Sequence, residues 1–256
     1  MRVGAYQFKV TGNIESNFFR IKEVIEKASE AGVRLLIFPE CAVTGYPPHC
    51  IKSVLDVDDD RVKQVHQQLQ MLSEKRRIYI VAGTILHEDT RYYNSALLFY
   101  PDGKRTLYSK RALWGWDKEN FSEGQSAGTA AVDSLKTGIR ICFEVRFPEY
   151  FRELYKERTD INLILFYDES DRDDPERYRM IKGHIQTRSV ENVCYTLSCN
   201  TCSPFQTAPT ALFDRSGRVL AEMERGKEGL LVYDLEKKPL NFGELGRKEI
   251  SDSFVR

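Results

Sequence analysis

Val33 to Pro39 reads Val-Arg-Leu-Leu-Ile-Phe-Pro, a nearly continuous apolar run of strand length. With almost no polar alternation it offers water no face, so it fits a parallel strand buried on both sides. A strand of that kind must be covered by other layers, and the chain supplies them. A helix is predicted from Ile14 to Glu30, with Asn13 as its cap, Gly32 as its stop and an apolar stripe of Ile14, Phe18, Ile21, Val24, Ile25 and Ala28. A second falls between Asp59 and Arg76, with Val62, Val65, Leu69 and Leu72 on one face, followed by a strand at Ile78 to Ile85. Strands dominate from there to Cys142. Helices near Pro148 to Glu157 and Arg177 to Asn192 then alternate with strands at Ile161 to Phe166 and Tyr195 to Asn200, and shorter strands follow at Ala211 to Asp214, Arg218 to Glu222 and Leu230 to Leu235. Strands interleaved with helices define an α/β chain.

The strand exits carry the chemistry. The Val33 to Pro39 run ends in Glu40, and a strand at Arg105 to Lys110, entered by the Pro101-Asp102-Gly103 turn, closes on its lysine. Gly-Ile-Arg-Ile-Cys from Gly138 ends in Cys142, where polar and turning residues take over. A thiol held where a strand gives way to a turn can face a cleft. An ordinary thiol, with a pKa of about 8.5, is only a few per cent thiolate at neutral pH, so a nucleophilic role needs a base nearby. In layered α/β folds ligands bind beyond the strand ends, so Glu40, Lys110 and Cys142 could meet there. By residue type alone, Glu40 could instead cap the next segment, Lys110 could be a solvated charge and Cys142 a packing residue.

Phe38-Pro39-Glu40 leading to Thr44-Gly45-Tyr46, then Lys110-Arg111, then Cys142-Phe143-Glu144 with Arg146-Phe147-Pro148-Glu149, resembles the nitrilase, or carbon-nitrogen hydrolase, superfamily. Asn94-Ser95-Ala96, Glu119-Asn120-Phe121 running to Gly124, and Arg188 with Glu191-Asn192 add to the match, which extends from Val3 to the strand at Leu230 to Leu235. The resemblance implies a four-layer α-β-β-α sandwich forming one catalytic domain over residues 1–256, and a catalytic trio of Glu40, Lys110 and Cys142. In that mechanism Glu40 takes the thiol proton, Cys142 attacks an amide carbonyl, and Lys110 stabilises the oxyanion together with the Phe143 backbone N–H. Glu119 resembles the family's second glutamate, which positions substrate and lysine. The residues after Cys142 look like those of the amidase branches, which implies a small linear amide or carbamoyl compound as substrate. A nitrile hydrolase and a catalytically silent binding protein of the same fold are the alternatives. The family also implies a homodimer or higher homo-oligomer, with the Pro148 and Arg177 helices as interface and Tyr150, Phe151, Leu154 and Ile181 as its apolar contacts.

Composition narrows the partners. Acidic and basic residues balance at 38 each, so nothing favours nucleic acid or an anionic membrane surface. No apolar stretch approaches the ~20 residues of a membrane span, and Met1-Arg2-Val3 leads straight into a strand, so the reading is of a cytoplasmic protein. Six cysteines then read as reduced thiols. Cys199-Asn200-Thr201-Cys202 has the spacing of a redox pair or half a zinc site. Pro204 and Pro209 make the following segment a loop, however, and no second ligand pair is close by, so neither a metal nor a cofactor is expected. The run from Asp168 to Arg177 is far more charged than the family usually carries here. It reads as a solvated loop capping the next helix, with recognition of a charged substrate as the functional alternative of either sign.

Overall fold

The computed structural model describes residues 1–255. Two six-stranded sheets form the centre. The first contains β1 (Arg2–Gln7), β2 (Leu35–Ile37), β3 (Tyr79–Glu88), β4 (Arg91–Phe99), β5 (Arg105–Ser109) and β12 (Gly229–Asp234), in the order β12-β1-β2-β3-β4-β5. The second contains β6 (Thr129–Val132), β7 (Leu135–Ile141), β8 (Ile161–Leu165), β9 (Tyr195–Cys199), β10 (Ala211–Phe213) and β11 (Val219–Glu222), in the order β11-β10-β9-β8-β7-β6. Each sheet has a parallel centre, β1-β2-β3 in one and β7-β8-β9 in the other, flanked by antiparallel strands.

Strand alternation assigns the layers. Leu35 and Ile37 of β2 join Leu163 and Leu165 of β8 in one core between the sheets. Leu36 points the other way, into a core with Phe18, Ile21 and Ile25 of α1 (Ile14–Glu30) and Val65 and Leu69 of α2 (Asp59–Arg76). Ile164 likewise packs against Phe151 and Leu154 of α4 (Pro148–Lys156) and Ile181 and Ile185 of α5 (Pro175–Asn192). The arrangement is the expected four-layer α-β-β-α sandwich. The caps read from the sequence are in place too: Asn13 accepts from the Ser16 N–H at 2.9 Å and opens α1.

Three points differ from the sequence reading. A short helix, α3 (Trp116–Asn120), interrupts the strands before Cys142. A C-terminal helix, α6 (Phe242–Phe254), was not expected, although Asn241 and Glu244 form a reciprocal capping box at its start. Finally, Phe151, Leu154 and Ile181 cannot be surface contacts, because they are buried against the second sheet; around them Phe147 and Met180 are exposed instead. Among the described residues no helix is long and apolar enough to cross a membrane.

Candidate active site

The carboxyl-terminal ends of β2, β5, β7 and β8 meet at one end of the sandwich. Beyond β2 the chain turns at Glu40, whose N–H reaches the Phe166 carbonyl at the end of β8, 3.3 Å away, tying the two sheets together. Gly83 of β3 makes the turn possible, since a Cβ there would stand 2.3 Å from the Pro39 carbonyl oxygen and 2.7 Å from Glu40 Cα. Lys110 leaves β5 with its N–H on the Asn94 carbonyl at 2.8 Å. Cys142 begins a 3-10 turn from Cys142 to Arg146 with φ at 46°. A non-glycine residue in this left-handed region costs on the order of 1–3 kcal/mol and needs support from its surroundings. Glu144 gives that support: fully buried, it accepts from the Ile141 N–H at 2.7 Å, the Arg111 N–H at 2.8 Å and the Tyr108 hydroxyl at 2.6 Å. Glu144 therefore ties the Cys142 turn to the Lys110 strand exit and serves as scaffold.

Glu40 and Lys110 are 1% and 2% exposed and bond directly, Nζ to Oε1 at 2.9 Å. Oε1 also accepts from Asn94 Nδ2 at 2.7 Å, and Oε2 from the Tyr167 N–H at 2.8 Å. A second carboxylate holds Lys110 from the other side: Asp117 Oδ2 lies 2.7 Å from Nζ, while its Oδ1 accepts from the Tyr46 hydroxyl at 2.6 Å. Lys110 and Cys142 both line a cavity of about 230 Å³ whose walls include Tyr46, Trp116, Phe143 and Tyr167. Phe143 thus stands in the wall directly after Cys142.

Glu119 is the exception among the expected residues. It is exposed on α3, away from the lysine, and the carboxylate in contact with Lys110 is Asp117. Residues two apart on a helix point about 200° apart, so only one of the two can face inward. Cys199 and Cys202 stand elsewhere, Cys199 buried with Sγ 3.2 Å from the Tyr6 carbonyl oxygen.

The electrostatics fit a proton held between partners. Burial raises the Glu40 carboxyl above its usual range and Asp117 adds to this, while Lys110 and Asn94 oppose it. Burial also disfavours the Lys110 ammonium, but Glu40, Cys142 and Asp117 outweigh it and hold the lysine protonated. The Cys142 thiol is pushed well up by burial and then by Glu40. At neutral pH the sulfur therefore carries its proton, so a nucleophilic role would require a base beside it.

A thiol, a buried carboxylate-lysine pair and four converging strand ends on an α-β-β-α sandwich define a nitrilase-type architecture. The family model for carbon-nitrogen hydrolase matches residues 2–239, and the chain belongs to that family. It is 26% identical over 243 residues to the 2-oxoglutaramate amidase of Bacillus subtilis, covering 91% of this chain and 90% of that protein. It is 24% identical over 245 residues to the omega-amidase NIT3 of Saccharomyces cerevisiae, covering 85% and 80%. Its fold is similar to that of an amidase from Nesterenkonia sp., with a TM-score of 0.83 at 23% identity over 99% of this chain and 96% of the other.

Proposed function

We propose that the protein hydrolyses the C–N bond of a small linear amide or carbamoyl compound through a thioester on Cys142. The observation that carries this reading is the Lys110–Glu40 contact beside the cavity that Cys142 lines. As the sulfur attacks the carbonyl carbon, the thiol proton passes to Glu40 and the carbonyl π pair moves to oxygen, where Lys110 and the Phe143 N–H receive the charge. The C–N bond breaks as Glu40 returns that proton to nitrogen, and ammonia or an amine leaves. Water then gives a proton to Glu40 and attacks the thioester carbon. The C–S bond breaks, the carboxylic acid forms, and the thiol regains its proton. Asp117 takes the part expected of Glu119, fixing Lys110 between two carboxylates.

The cavity, at about 230 Å³, is smaller than the ~300–1,000 Å³ of drug-sized sites, which favours a small substrate. The similarity to the 2-oxoglutaramate amidase and the omega-amidase supports an amide as substrate. We read the chain as one catalytic domain acting in the cytoplasm, a setting that suits six free cysteines. We also infer a homodimer or higher assembly in which α4 and α5 meet a second copy through Phe147 and Met180.

A screen for released ammonia over small amides, carbamoyl compounds and nitriles tests the activity. Amides are expected to react fastest, and Cys142→Ala to be inactive while keeping its fold. Faster turnover of nitriles than of their matching amides would overturn the reading.

A further inference from the structure

The charged run after β8 bears directly on the cavity, and it brings both signs. Asp168 lines the wall at 7% exposure. Its main chain is locked by Asn200, whose Oδ1 accepts from the Asp168 N–H and whose Nδ2 donates to the Asp168 carbonyl, both at 2.9 Å. Its Oδ1 accepts from Arg177 Nη2 at 2.9 Å and from the Thr207 hydroxyl at 2.6 Å. Oδ2 accepts no hydrogen bond among the described residues, which leaves an acceptor for the cavity. Arg177, at the start of α5, lines the same wall. Opposite charge also comes from Arg146 at the end of the Cys142 turn; its guanidinium lies 5.6 Å from the Phe143 ring centroid and has no ion pair or side-chain hydrogen bond among the described residues.

The wall thus carries charge of both signs. A purely cationic amide would meet Arg146 and Arg177, and a purely anionic one would meet Asp168 and the neighbouring Glu169. A ligand with both charges on one carbon needs an acceptor and a donor near each other; Arg177 holds Asp168 in place through Oδ1 at 2.9 Å, leaving Asp168 Oδ2 as acceptor and the Arg146 guanidinium as donor on the same wall. We propose that the cavity takes an amide whose far end is a zwitterionic α-amino-acid head group, with Asp168 accepting from the ammonium and Arg146 and Arg177 donating to the carboxylate. The amide at the other end then faces Cys142. This inference rests on the amide-hydrolase reading above and adds the substrate class.

Four amides of matched chain length test it. Glutamine carries both charges, glutaric monoamide only the carboxylate, γ-aminobutyramide only the ammonium, and butyramide neither. The expected kcat/KM for glutamine exceeds that for each singly charged analogue by about tenfold or more, the scale of one charge-assisted hydrogen bond. Asp168→Asn should cut the preference for glutamine over glutaric monoamide about tenfold, and Arg146→Gln the preference for glutamine over γ-aminobutyramide by a similar factor. Equal or better turnover of glutaric monoamide, γ-aminobutyramide or butyramide by the unmodified enzyme overturns the head-group assignment, as does an unchanged preference in both variants when each still folds and alkylates at Cys142. If the four amides are inert while others in the broader screen react, the head group is wrong and the amidase reading stands. If no amide reacts at all, the amidase reading itself fails.

Discussion

Asp117 Oδ2 approaches Lys110 Nζ to 2.7 Å, closer than Glu40 Oε1 at 2.9 Å, so the buried lysine is shared between two carboxylates, one from the turn after β2 and one from α3. Asp117 is in turn fixed by the Tyr46 hydroxyl. Lys110 therefore has its direction set from two sides before any substrate binds.

Asp117→Asn is expected to lower kcat on the order of 100-fold, the usual cost of misplacing one catalytic group by about an ångström. It should also move the acidic limb of kcat/KM. In the proposed mechanism Glu40 must be ionised to act as base, so activity should be lost as pH falls through its raised pKa; Asp117 helps to raise that pKa, and removing its charge should shift the limb to lower pH. Glu119→Gln should leave both the rate and the limb nearly unchanged. A larger loss in the Glu119 variant than in the Asp117 variant would reverse this assignment.

These two acids show where the sequence was legible. Glu40, Lys110 and Cys142 each stand at a strand exit, but it was the family resemblance that marked them as a set; two sheets packing through Leu35, Ile37, Leu163 and Leu165 bring the ends together. Asp117 and Glu119 sit on one helical turn of a segment with no apolar period, and only tertiary contact decides which faces inward. The signal available was the short-range one, an acid beside Trp116 whose ring packs at 5.8 Å on Phe121 and anchors α3. The α6 helix escaped notice because its apolar residues Phe242, Leu245, Ile250 and Phe254 are exposed and trace no buried stripe, although its capping box was there to be read. Phe151, Leu154 and Ile181 were misplaced for the opposite reason. Amphipathic helices of a layered fold turn their apolar face to the sheet, and that face is no longer free to bind a second copy.

The base assignment can be separated from the nucleophile. In Glu40→Gln amide turnover should fall by about 100-fold or more, the range of lost general acid-base catalysis. Alkylation of Cys142 by iodoacetamide should persist, with its pH midpoint moved down, because the Glu40 charge is one of the causes that hold the thiol up. A midpoint that moves up, or does not move, would contradict the stated coupling.

Glu144 gives a stability prediction. Glu144→Ala leaves the Ile141 N–H, the Arg111 N–H and the Tyr108 hydroxyl without their acceptor, at about 1–3 kcal/mol for each buried group left unpaired. A loss of roughly 3 kcal/mol or more in chemical denaturation is expected, with slower alkylation of Cys142 as its turn loosens. Wild-type stability in this variant would remove Glu144 from the scaffold.

Assembly is checked by light scattering at micromolar concentration. The wild type should give a dimer or a multiple of it. Phe147→Asp with Met180→Asp, changing two exposed side chains of the α4 and α5 region, should shift the mass to the monomer. A monomeric wild type would rule the interface out.

The central claim is that Cys142 carries the acyl group between two halves of the reaction. Intact-mass spectrometry of enzyme quenched in acid during turnover of a reactive amide measures this directly. The expected result is an adduct equal to the substrate mass less ammonia, mapped to the peptide containing Cys142 and absent from Cys142→Ala. Steady amide turnover with no adduct at Cys142, together with an active Cys142→Ala, would contradict the account.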